Sequence, residues 1–201
     1  MNVLQRDNSD NFGSLPLSQQ NMEKDLKILD FGCGTRKREG AIGIDVNPLT
    51  QADVIHDLNS FPYPFEDDLF DEVYADNVIE HLDDVVKVME ELYRICKDGA
   101  LVKIIVPYFR SRWAFIDPTH RHFFTADSFS YFDPANPISQ IYPYSSARFS
   151  QQKLIFNENI HTGQPKSTIK WIANRWPGRY ERYLGHLVPL DDLSFYLRVV
   201  K

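Results

Sequence analysis

Ile28-Leu29-Asp30-Phe31-Gly32-Cys33-Gly34-Thr35 is followed closely by Ala41-Ile42-Gly43-Ile44-Asp45-Val46-Asn47. The first piece is a short apolar run ending in an acid and a glycine pair. The second is an apolar run that also ends in an acid. Two such runs read as neighbouring parallel strands whose carboxyl ends hold an adenosine. Glycines after a first strand let the backbone turn sharply and approach a ligand, the task read for Gly32 and Gly34. An acid at the end of the second strand, Asp45, can accept both ribose hydroxyls. Asp30 is placed to meet a cationic amino group. A dinucleotide would need a third glycine over a helix N-terminus, and the residue at that position is Lys37.

Outward from this pair the pattern continues as an α/β chain. A third strand is predicted over 53–57. A loop follows at Pro62-Tyr63-Pro64-Phe65-Glu66-Asp67-Asp68, where the prolines remove amide donors. A fourth strand is predicted over 71–76. Val78, Leu82, Val85, Met89, Leu92 and Cys96 recur at spacings of four and three, the stripe of one amphipathic helix over about 78–97. Lys97-Asp98-Gly99 supplies its stop. A fifth strand runs from Leu101 to Val106 and ends at Pro107. Near-continuous apolar strands of this kind belong to a parallel sheet. Residues 108–150 hold about a dozen aromatics with little periodicity, and read as an insertion above the sheet's carboxyl edge. A strand near 151–156, a helical region over 167–187 broken at Pro177-Gly178, and a last strand over 194–200 complete the chain. Residues 1–24 read as a flexible leader, and 25–201 as a single domain.

Two connections are too short for the usual covering helix. About seven residues separate Gly34 from Ile42, whereas a parallel crossover takes a dozen or so. A five-residue strand is roughly 17 Å long. Seven residues advance about 10 Å as helix and about 24 Å when extended. The chain can therefore return, but not as a helix. The step from Asn47 to Asp53 is as tight. The sheet face left bare needs another cover: the leader, the late helical region, or a second subunit in a homodimer.

Composition narrows the partners. The 201 residues carry a net charge of -6, which argues against a nucleic-acid or membrane partner chosen by charge alone. Two cysteines, Cys33 and Cys96, fit a reducing compartment. Met1 to Gln20 lack the apolar stretch of a secretion signal, so cytoplasmic residence is expected.

The ordered set of motifs resembles the class I S-adenosylmethionine-dependent methyltransferases. Their first motif looks like Leu29–Thr35 and their second like Gly43–Asn47. Their third-strand acid looks like His56-Asp57-Leu58. The next motif is similar to Pro64–Tyr74 with Asn77-Val78-Ile79-Glu80-His81-Leu82, and the turn before the fifth strand to Lys97-Asp98-Gly99. The likeness implies a Rossmann-like, mostly parallel sheet with a C-terminal antiparallel strand, S-adenosylmethionine as cofactor, and a small-molecule acceptor. It further implies that Asp30 and the backbone of Gly32, Cys33 and Gly34 face the methionyl amine and carboxylate. Asp45 takes the ribose, Val46 and Asn47 flank the adenine, Asp57 and the Leu58 amide bind the adenine edge, and Asn77 borders the sulfonium. Arg36 stands where the family usually has another glycine.

Methyl transfer needs a nucleophile held in line with water excluded. Only a nucleophile of high pKa, such as a hydroxyl, also needs a base. The candidates lie in Asp117-Pro118-Thr119-His120-Arg121-His122 and just past the fifth strand: His120 and His122 to take a proton, Tyr108 to position an acceptor. His120 and His122 read as readily as loop-packing residues; with a nearby acid such a pair is also a minor metal-site alternative. No metal is expected. His81 reads as packing of the cofactor pocket. The aromatics Trp113, Phe115, Phe123, Phe124, Phe129, Tyr131 and Phe132 form either a lid's own core or an apolar acceptor pocket. Arg110, Arg112, Arg121 and Arg148 either recognise an acidic substrate or are solvated surface. Transfer to oxygen is the leading expectation. A non-catalytic cofactor-binding subunit and, behind it, a nicotinamide-linked oxidoreductase are the rivals. An open pocket under an ordered lid would favour the enzyme.

Overall fold

The computed structural model describes residues 26–159 and 166–201, and the expected leader lies outside them. Seven strands form one sheet: β1 Ile28–Phe31, β2 Ile42–Asp45, β3 Val54–Ile55, β4 Phe70–Asp76, β5 Cys96–Pro107, β6 Phe149–Phe156 and β7 Asp192–Val199. Their spatial order is β3-β2-β1-β4-β5-β7-β6. The first five are parallel, and β7 runs antiparallel to both β5 and β6. The α/β class, the mostly parallel sheet and the antiparallel C-terminal strand follow the sequence reading.

The short connections carry no helix between residues 35 and 41 or between 47 and 53. Side chains tie them down instead. Lys37 Nζ lies 2.8 Å from both carboxylate oxygens of Asp53, and Asp53 Oδ2 accepts from the Gly43 amide at 2.7 Å. The Gln51 amide donates to Gly34 O at 3.2 Å. The stem of Lys37 lies over Gly43: a Cβ there would sit 2.6 Å from Lys37 Cδ and 2.8 Å from Cys33 Sγ. A lysine stem thus covers a strand where a helix normally would.

The helix expected over 78–97 is interrupted. A 3-10 turn, Ile79–His81, ends at an extended Leu82, and α1 spans Val85–Ile95. The Asp84 carboxylate accepts from the Lys87 amide at 3.1 Å, so the acid within the apolar repeat starts a new helix as its N-cap. Val88, Met89, Leu92 and Ile95 are fully buried on its inner face. Nor is there a loop after α1. Cys96 already pairs with Phe70, and Lys97-Asp98-Gly99 forms the head of β5 beside a register shift, with Gly99 at φ +75°. Glycine's freedom at positive φ here serves a bulge rather than a helix stop.

The second half extends the same core. Helices α2 Trp113–Ile116 and α3 Pro137–Ile141 lie in the insertion, and α4 Lys166–Arg175 and α5 Pro177–Tyr183 precede β7. Asn174 on α4 bonds both ways to Phe156, accepting from its amide at 2.8 Å and donating to its carbonyl at 3.2 Å. The late helices thus pack beside β6, at the opposite end of the sheet from β2 and β3, and do not cover the short connections. The aromatic insertion divides. Phe124, Phe129 and Phe132 are buried in the main core, Phe129 edge-on to Phe195 at 4.8 Å. Trp113, Phe115 and Phe123 remain half-exposed or more. Each fully buried phenylalanine contributes roughly 1.5–3 kcal/mol. Among the described residues no helix is long and apolar enough to cross a membrane.

Candidate active site

Strand order reverses between β1 and β4, and the carboxyl ends of the strands open there, the place where open α/β sheets bind ligands. The amides of Gly32 and Cys33 hook the turn after β1 onto Ile44 O, at 2.9 and 3.2 Å. Gly32 sits at φ +71°, and a Cβ on it would lie 2.4 Å from Val78 Cγ2. That position accepts only glycine, for both dihedral and space.

Two hollows meet at this turn. One, of about 320 Å³, is lined by Gly32, Asp45, Val46, Asp57, Leu58 and Val78. The other, of about 500 Å³, is lined by Asp30, Gly32, Cys33, Arg36, Arg38 and Asp76. Asn77 borders both, held at φ +54° at the end of β4 with its amide on Ile105 O at 2.8 Å. The Asp45 carboxylate is fixed by two amides: Oδ2 accepts from Gly34 N at 2.8 Å and Oδ1 from Asn47 N at 2.9 Å. Each oxygen keeps a further lone pair. The Gly34 amide, expected to face the methionyl carboxylate, is thus spent on orienting Asp45. Asn47 turns its Oδ1 back onto the Leu49 amide at 2.9 Å, capping its own turn. Asp57 Oδ1 likewise accepts from Asn59 N at 2.9 Å while the residue lines the first hollow.

The second hollow carries both signs of charge. Asp30 accepts from the Arg38 amide at 2.7 Å, and Arg38 Nη2 lies 3.6 Å from Asp76 while stacking over Tyr74. Burial pushes the Asp76 carboxyl up, and Arg38 opposes the shift. Acids and guanidinium groups around one space suit a zwitterionic amino acid. Arg36, read as a departure from the family pattern, stands on this wall. The missing Cβ of Gly32, the fixed Asp45 and this charge pairing fit S-adenosylmethionine, with its nucleoside in the first hollow and its amino acid in the second.

A third cavity, of about 490 Å³, adjoins at Asn77 and His81. Its walls are Glu80, His81, Trp113, Ile116, Asp117, His120, Asp191 and Asp192 with Pro107. Glu80 is 1% exposed, and neither of its carboxylate oxygens has a hydrogen-bond partner. Burial pushes its carboxyl up to about 7, with Asp117 adding to the shift. The His81 and His120 rings stand edge to face with centroids 4.6 Å apart. Thr119 Oγ1 lies 2.8 Å from His81 Nδ1 and 2.7 Å from Asp117 Oδ1, and His120 Nδ1 lies 3.0 Å from Ala114 O.

The three residues expected to handle the acceptor are separated. His120 lies in the cavity wall. His122 faces a different, mostly aromatic hollow and places Nε2 2.8 Å from Leu82 O. Tyr108 is fully buried among Phe109, Phe156 and Tyr180, so its hydroxyl does not reach the cavity. None of the four arginines lines the cavity either. Arg121 pairs with Asp83, Arg148 donates to Ser145 O and Ala147 O, and Arg110 and Arg112 lie over Phe109 and Trp113. The acidic wall is the reverse of what an acidic substrate needs. Glu80 carried a signal in the sequence: a lone acid between Ile79 and Leu82, on a segment read as apolar. Asp191 and Asp192 carried none, since only the antiparallel β7 brings them to this edge.

A family model described as a methyltransferase domain matches residues 5–131. A comparison with curated protein sequences returned no match. Among solved structures, an S-adenosylmethionine-dependent methyltransferase from Archaeoglobus fulgidus is 18% identical, with a TM-score of 0.54 over 86% of each chain. One from Mesorhizobium loti is 13% identical, with a TM-score of 0.54 over 86% of this chain and 90% of the other. A chain from the complex of the Haloferax volcanii Trm112 methyltransferase activator with its putative methyltransferase is 18% identical, with a TM-score of 0.52 over 91% and 86%. At these identities the likeness is one of fold, while the family match spans more than half of the chain. The protein belongs to the methyltransferase domain family and is an S-adenosylmethionine-dependent methyltransferase of the Rossmann-like class.

Proposed function

We propose that the acceptor is a small molecule seated in the 490 Å³ cavity and that the methyl group goes to one of its oxygens. The observation that carries this reading is the cavity's place and chemistry: it opens at Asn77 and His81, where the cofactor cleft ends, under an ordered insertion. S-adenosylmethionine supplies a methyl group already activated by the sulfonium charge. The chain's own task is to hold a nucleophile in line and keep water out. Trp113 and Ile116 give an apolar side against which a ring or alkyl body can pack. Asp117, Asp191, Asp192 and His120 offer hydrogen-bond acceptors, which suits a hydroxylated molecule and disfavours a carboxylate. The cavity is open rather than filled by side chains, which favours the enzyme over a non-catalytic subunit.

The test has two parts. Isothermal titration with S-adenosylhomocysteine is expected to show one-to-one binding, and no heat at millimolar ligand would overturn the cofactor assignment. Methyl-labelled cofactor is then supplied with phenols, alcohols and their matched amines. Label on hydroxylated acceptors is expected; label on amines alone would refute the assignment to oxygen.

A further inference from the structure

We propose that Glu80, His81 and His120 form a binding site for one divalent first-row transition ion at the floor of the acceptor cavity. One ligating atom from each residue lies within 4.8 Å of the others. Two imidazoles and a carboxylate from adjacent segments, with the remaining positions open, are a ligand set for zinc, manganese, iron or cobalt rather than for calcium or magnesium, which prefer oxygen cages.

Two independent observations point to an ion. The first is the Glu80 carboxylate: both oxygens are buried without a partner in the wall of this cavity. A buried carboxylate without a partner costs several kcal/mol unless a cation or proton compensates it. The nearest basic groups in the cavity are the two histidines; no lysine or arginine lines it. The second is the way the histidines are held. Thr119 Oγ1 has one hydrogen, and Asp117 Oδ1, as an acceptor only, takes it at 2.7 Å. Thr119 Oγ1 can then only accept from His81, which places the His81 proton on Nδ1. Ala114 O, also only an acceptor, places the His120 proton on Nδ1 in the same way. Both Nε2 atoms therefore carry a lone pair with no competing proton. A carboxylate–threonine relay behind one imidazole and a backbone carbonyl behind the other are the supports that fix the tautomer of metal-binding histidines. The alternative pair, His120 with His122, is not assembled: His122 points to another hollow. The ion's open positions would face the space assigned to the acceptor, where its charge would offset the acidic wall and favour an ionised hydroxyl. That use rests on the methyl-transfer reading; the binding itself does not.

The probe is cobalt(II), added to the metal-free full-length protein and followed by its visible absorption. One equivalent is expected to saturate, with manganese competing and magnesium at the same concentration failing to. Glu80→Gln and His120→Ala are each expected to weaken cobalt binding at least tenfold. His122→Ala is expected to leave it within twofold. Thr119→Val, which unhooks His81 without removing a ligand, is expected to weaken binding several-fold. Absence of saturable one-to-one absorption in the wild-type protein, or equal affinity in the folded Glu80→Gln and His120→Ala variants, would overturn the site. Titration of the metal-free protein with S-adenosylhomocysteine separates the two ideas. Cobalt failing while that ligand binds removes the metal alone; the reverse removes the cofactor assignment alone.

Discussion

Gly32→Ala tests the cofactor turn most sharply, because the structure divides its cost into two parts that can be measured apart. The backbone at residue 32 lies at φ +71°. A side chain there costs about 1–2 kcal/mol through the clash of Cβ with the backbone. The new methyl would also lie 2.4 Å from Val78 Cγ2 and 2.8 Å from Val78 Cβ, which demands a shift of the segment after β4. Overpacking of this kind costs about 1–3 kcal/mol. Together the loss is about 2–5 kcal/mol, a large share of the 5–15 kcal/mol that stabilises a typical domain. Gly34→Ala provides the control. It too sits at positive φ, +54°, but its Cβ would meet nothing within 4 Å, so only the backbone part, about 1–2 kcal/mol, is expected. Val78→Ala, at a half-buried site, is expected to cost about 1 kcal/mol alone. In the double variant Gly32→Ala/Val78→Ala the contacts with the two Cγ atoms are removed while the one with Cβ at 2.8 Å remains, so part of the steric cost should be recovered, giving a favourable coupling of about 0.5–2 kcal/mol. Urea unfolding of the four variants measures these values, and titration with S-adenosylhomocysteine reports the cleft. A Gly32→Ala variant no worse than Gly34→Ala, or a strictly additive double variant, would refute the reasoning.

Other consequences follow from the same contacts. Asp45→Ala removes the acceptor for the Gly34 and Asn47 amides as well as the proposed ribose grip. S-adenosylhomocysteine affinity should fall at least tenfold, with the sheet's circular dichroism retained; unchanged affinity refutes the assignment. Burial, helped by Asp191, pushes the Asp192 carboxyl up to about 6 from an ordinary 3.8. The folded state therefore holds that proton more tightly than the unfolded chain. Its stabilising contribution is complete below pH 4 and is lost as pH rises through 6, a change of about 3 kcal/mol. Asp192→Asn should accordingly stabilise the protein more at pH 7.5 than at pH 4.5 in denaturant titrations; an equal effect at both would sink that account. Tyr180 accepts from the Leu190 amide at 2.8 Å and donates to Val188 O at 3.0 Å while fully buried. Tyr180→Phe leaves both backbone groups unpaired and should cost about 1–3 kcal/mol in the same assay.

Local pattern made the nucleotide half of the molecule legible. The apolar runs ending at Phe31 and Asp45 fixed two strands, and simple chain-length arithmetic excluded helices between them. Period misled at residues 78–97. The stripe of apolar residues runs on without a gap, yet Asp84 offers its carboxylate to the Lys87 amide and starts a separate helix. A cap is a local competition between side chain and backbone, and hydrophobic spacing does not register it. Among the proposed acceptor residues, His120-x-His122 looked like one unit because the two are adjacent in an extended chain. Strict alternation would keep residues two apart on one side, but this segment is irregular, with the amides of Arg121 and His122 both turned onto Glu80 O, so one histidine reaches the acceptor cavity and the other the Leu82 carbonyl.

The sequence by itself determined the class of cofactor and pointed to the strand ends proposed to hold it, because glycines and an acid at strand termini act within a few residues of one another. Only the tertiary structure decided the acceptor cavity. Glu80, His120 and Asp192 lie in a turn after β4, an irregular insertion and an antiparallel strand. No periodic signal links segments so distant along the chain. They meet because β7 pairs against β5 and the insertion folds over the carboxyl edge of the sheet.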